Sequence, residues 1–109
     1  MNMIDEMLKL ENLMEEHGLS WAKYDAEARR LDDLSKSVLS QIMLEHQSEA
    51  VNLREMRARA DKRYLDHLAG VAAARSLANQ YRVKYDTDQH RIEIRRSINA
   101  VNRAQMGMR

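Results

Sequence analysis

From Met3 to Glu45, apolar side chains recur at alternating steps of three and four residues, the spacing that returns a residue to the same face of an α-helix. One seam position reads Met7, Met14, Trp21, Ala28, Ser35 and Ile42. Its partner reads Met3, Leu10, His17, Tyr24, Leu31, Val38 and Glu45. The phase holds across Gly18, so the pattern predicts one helix over residues 3–46, roughly 66 Å long at 1.5 Å per residue. A second periodic segment opens at Asp61, whose carboxylate is suited to accept from first-turn amides, and runs to Met106 before Gly107. Its seam reads Tyr64, Val71, Ala78, Tyr85, Ile92, Asn99 and Met106, with His67, Ala74, Tyr81, Asp88, Arg95 and Asn102 between. In the interval 47–60, Ser48 ahead of Glu49 and Ala50 predicts a short capped helix at the turn.

Two helices of similar length joined by a short connection pack antiparallel. A register with Val38 opposite Val71 sets Leu31 on Ala78, Ser35 on Ala74, Tyr24 on Tyr85, and Trp21 on Asp88 as acceptor for the indole N–H. The flanks then match by charge and type. Asp32 faces Arg75, Asp25 faces Arg82, Glu27 faces Lys84, Glu11 faces Arg96, and Leu39 faces Leu68. The expectation is an all-α, coiled-coil-like antiparallel hairpin of two long helices with a short helix at the turn, forming a single domain over residues 1–109.

Composition narrows the picture further. The chain has no Pro, no Cys and no Phe among its 109 residues, so little interrupts helix and thiolate or disulfide chemistry is absent. Its apolar runs are too short to span a bilayer, and the acidic N-terminus does not look like a secretion signal, which points to a cytoplasmic protein. The net charge of +1 hides an asymmetry: residues 1–50 carry 11 acids against 5 bases, and residues 51–109 carry 6 against 13. Opposite halves of this kind suit helices that lie against each other, or a basic half that meets an external anion.

The seam deteriorates away from the turn. Arg95, Asn99 and Asn102 fall opposite Met14, Leu10 and Met7, while Ile94, Ile98 and Val101 form a stripe on another side of the second helix. Met3, Met7, Leu10, Met14, Ile94, Ile98 and Val101 are therefore the expected partner-binding residues, through which the chain forms a homodimeric four-helix bundle or captures another protein. The alternative is a nucleic-acid site at the basic turn, using Arg54, Arg57, Arg59, Lys62 and Arg63 with Tyr64 as a stacking ring. Arg91, Arg95, Arg103 and Arg109 add positive charge toward the C-terminus. Chemistry has less support. His90 with Glu93 and Asp86, or Glu15 and Glu16 with His17, are the conceivable metal ligands, but the four inward carboxylates of a di-metal bundle are missing. With no nucleophile elbow and no phosphate-cradling glycine loop, the chain reads as no enzyme, with no cofactor.

Two stretches carry a family likeness: YDAEARRLDDLSKSVLSQIMLEH from Tyr24 to His46, and Arg63 to Arg109 with its RYLDHLAGVAAARSLANQYRVKYD run and closing AQM. They resemble small helical proteins encoded in bacteriophage and prophage genomes, near recombination or replication genes. The likeness covers about two-thirds of the chain. The segment Ala60-Asp61-Lys62-Arg63-Tyr64 departs from the Ser-Pro helix start expected of that group. The resemblance implies a phage origin and a non-enzymatic role through protein–protein interaction, as a recombination accessory or an inhibitor of a host defence complex.

Overall fold

The computed structural model describes residues 2–107. It contains α1 (Met3–Leu44), α2 (Val51–Ala60) and α3 (Lys62–Gly107), with no strand among the described residues. α1 and α3 pack against each other as the expected antiparallel hairpin. Arg109 lies outside the described residues.

Each boundary has a local cause. α1 starts where Asn2 Oδ1 accepts the Asp5 N–H at 2.9 Å, and Asp5 and Glu6 place negative charge on the first turn. It continues through Gly18, which keeps negative φ. α1 ends at Leu44, two residues before the predicted stop, in a run of turns bonded from Glu45 N–H to Ile42 O and from His46 N–H to Met43 O. α2 opens after Ala50, which is extended and contributes no side-chain cap, so Ser48 does not cap it as anticipated. Asp61 interrupts the two later helices with extended backbone, and its Oδ1 accepts the Arg63 N–H at 2.8 Å as the N-cap of α3.

The chain divides into two compact units: Met1–Ala22 with Asn79–Arg109 (the terminal unit), and Lys23–Ala78 (the turn unit). In the turn unit, Ile42, Ala58 and Tyr64 are buried together, with Val38, Leu39 and Met43 packed around them. Ala58 is fully enclosed, so α2 seats its backbone close to its neighbours. Asp32 and Arg75 pair across the helices as their flanking positions suggest. Asp25 and Glu27, expected to answer Arg82 and Lys84, instead take Arg29 and Arg30 along their own helix. The core register also differs. His67 Nε2 donates to Leu31 O at 2.7 Å and lies 3.1 Å from Ser35 Oγ, where the sequence pattern places Ala74 opposite Ser35, a heptad further on.

In the terminal unit the pairing of Asp88 is one turn out. Its Oδ2 accepts from His17 Nδ1 at 2.5 Å, four residues before the expected Trp21. Trp21 packs instead on Tyr85, ring centroids 5.6 Å apart. The Tyr85 ring also presses on Gly18, with ring carbons 3.2 Å from the point a Cβ would occupy. Glu11 and Arg96 still pair, at 3.9 Å. An arginine side chain reaches about as far as the 5.4 Å rise of a turn, so its ion pairs tolerate a slip that buried groups do not.

Two substitutions test this packing. Ile42→Ala should cost about 2–4 kcal/mol by opening a cavity in the turn-unit cluster. Gly18→Leu should cost about 1–3 kcal/mol by driving a side chain into the Tyr85 ring. Urea midpoints that match the parent within error for both would contradict the burial described.

Candidate functional site

The partner-binding residues inferred from the pattern all lie in the terminal unit, but they do not form one patch. Met7, Leu10 and Met14 are half-buried on the α1 face that meets α3. Met3 is exposed beside them. Ile94, Ile98 and Val101 are 59%, 45% and 55% exposed. At 100° per residue they stand roughly 180–240° around α3 from the buried Ile92, and so point away from α1. The two sets therefore offer separate surfaces, one at the methionine end and one on the outer side of α3.

The methionine end contains residues that seam reading passed over. Ile4 is 77% exposed and Leu8 is 54% exposed. With Asn2, Met3, Met7, Glu11 and Asn99 they line an open groove of about 700 Å³. The available signal was the four-residue spacing of Ile4 and Leu8, which sits off the main seam. Glu6 holds Arg95 at 3.3 Å, so this guanidinium has an acidic partner on α1 beside Leu10 and Leu13. The groove is apolar with amide and carboxylate groups at its rim, and nothing in it is arranged for bond-making chemistry.

At the basic turn, the five cations inferred as a nucleic-acid site are largely occupied. Arg57 Nε lies 2.6 Å from Glu49 Oε2. Arg59 donates to Glu55 at 2.8 Å and 3.0 Å. Arg63 donates to Glu45 at 2.8 Å and 2.5 Å and also to Asp61. Lys62 is exposed, while Arg54 is half-buried with its Nε enclosed and without a hydrogen-bond partner. Tyr64 belongs to the core cluster, which removes it as a stacking platform. The shared guanidinium sets the local electrostatics. Hydrogen bonds from Arg63 hold the Glu45 carboxyl below the usual carboxylate range, and its side-chain and backbone donors do the same for Asp61. Arg63 is raised in turn, and the Glu55 bond raises Arg59.

The metal candidates are dispersed. His17 is committed to Asp88, and His90 lies 3.7 Å from Glu93 on open surface. Among the described residues no three His, Asp or Glu side chains converge to hold an ion. No helix among them is long and apolar enough to cross a membrane. No protein-family model, curated protein or solved structure matches the chain.

The turn network carries a sign for pH. Glu45 and Asp61 are lowered in the folded state, so their contribution is present above the ordinary carboxylate range near pH ~4 and is lost as pH falls from that range through the lower folded-state values. Thermal melts taken from neutral to acid pH should show Arg63→Ala closing its stability gap to the parent in that window. A gap that stays constant with pH would contradict the role given to Arg63.

Proposed function

We propose that this chain is a non-enzymatic docking protein, cytoplasmic and homodimeric, that acts by presenting apolar helix surface to another protein. The observation that carries the reading is the outward stripe of Ile94, Ile98 and Val101 on α3, exposed aliphatic side chains that α1 does not cover. β-Branched residues repeating along a helix at steps of three and four suit a further helix as partner. The groove around Met3, Ile4 and Leu8 adds an adaptable surface, since unbranched thioethers repack against different shapes. The quoted likeness to small phage-encoded helical proteins supports an accessory role in recombination, or inhibition of a host defence complex, as the setting.

The nucleic-acid reading has thinner support. Of Arg54, Arg57, Arg59, Lys62 and Arg63, three are bound by carboxylates that any phosphate would have to displace.

Sedimentation equilibrium at micromolar concentration should give a mass above the 12.8 kDa of one chain. Ile98→Asp should return the mass toward the monomer without loss of helicity, because a charge on the stripe must be desolvated to pair. A fully helical monomer throughout would remove the homodimer. In a parallel titration with double-stranded DNA, steeply salt-dependent binding lost on changing Arg57, Arg59 and Arg63 to Ala would instead favour the basic turn.

A further inference from the structure

Asp88 is 2% exposed, the one deeply buried charged side chain among the described residues. Its hydrogen-bond partner is His17, on the opposite helix, at 2.5 Å. The surroundings are otherwise permissive about alignment. A slide of α3 by one turn, about 5.4 Å, would place Asp88 opposite Trp21, whose indole N–H is a donor. Arg96 would exchange Glu11 for Glu15, and Tyr85 would exchange Gly18 for Ala22. Met7, Leu10 and Met14, with Leu13 and Trp21, are the half-buried apolar side chains of α1 in this unit, and the methionines among them accommodate a new set of neighbours easily. Exposed ion pairs distinguish the two alignments weakly, even though the slide would set Arg95 at Leu10 in place of Glu6.

We propose that the His17–Asp88 pair is a latch that selects the observed register of the terminal unit over a competing register one helical turn away. A carboxylate shut off from water needs a donor at hydrogen-bond distance, and the observed alignment supplies His17 Nδ1 at 2.5 Å, while the competitor must take the Trp21 ring off Tyr85 to supply one. Gly18 adds to the selection, because it admits the Tyr85 ring where the methyl of Ala22 would hold it off. Buried polar pairs of this kind fix helix alignment at some expense in stability. The inference stands independently of the docking function, since it concerns the buried seam and not the outer stripe.

The chain has no cysteine, so paired spin labels at Lys9→Cys and Gln80→Cys, both exposed and both in the terminal unit, report on the alignment alone. The parent should give one narrow distance distribution. In the combined variant His17→Leu, Asp88→Leu, helicity should persist and a second population should appear, displaced by roughly 5 Å, most of one helical rise. Asp88→Asn keeps the shape and drops the charge, and should show the same second population in smaller amount should the double variant fail to fold. Exchange of the two residues, His17→Asp with Asp88→His, should restore the single population. A single unshifted distribution in the variants lacking the pair would overturn the latch, as would an exchanged pair that remains split.

Discussion

A carboxylate enclosed between two helices cannot be left without a donor, and the alignment of the terminal unit follows from how Asp88 meets that requirement. Its bond to His17 fixes which turn of α1 stands against which turn of α3. Other contacts there then fall into place around it. Trp21 packs on Tyr85, and the same ring settles against the bare backbone of Gly18. His17 also lies 6.2 Å from the Tyr81 ring, over which Lys84 Nζ sits at 4.9 Å. A thin two-helix core gains little from hydrophobic burial, so a single polar bond of this kind has unusual leverage over the geometry.

The arginines behave differently. Glu11–Arg96 and Asp32–Arg75 are present as the sequence pattern suggested, even though the core beside them is aligned otherwise. Long, exposed side chains reach a carboxylate from more than one level, and exposed pairs contribute only about 0–1 kcal/mol each. Their agreement with a proposed register is therefore weak evidence for it. Asp25 and Glu27 make the point from the other side, since each found an arginine on its own helix a turn away.

This difference explains how much was legible in the residues. The two long helices, the antiparallel hairpin and the cap at Asp61 follow from periodicity, absent proline and one side chain with a local role, and all of these are short-range signals. The alignment depended on which buried polar groups pair, and pattern matching gives a histidine and a tryptophan similar standing opposite Asp88. The short helix was legible as an element but its start was not, because Ser48 offers a cap in sequence that the turn around His46 leaves unused. Tyr64 stands both on the α3 seam and among arginines, which made it a stacking ring in the nucleic-acid alternative. Its place on the α3 seam was the better guide, and it is buried against Ile42 and Ala58.

Surface function was legible only as a surplus of apolar residues beyond what two helices can bury. The structure sorts that surplus by direction. Met7, Leu10 and Met14 turn inward and are spent on the hairpin, whereas Ile94, Ile98 and Val101 turn outward and are not. The basic surplus sorts the opposite way, for Arg57, Arg59 and Arg63 at the turn are bound by nearby glutamates and Asp61. An anion approaching the turn must compete with carboxylates already in place, while a helix approaching the outer side of α3 displaces only water from aliphatic carbon. The first exchange is close to balanced, and the second is favoured by roughly 25 cal/mol for each Å² covered. That asymmetry is the physical reason to look for a protein partner on α3 before a nucleic acid at the turn.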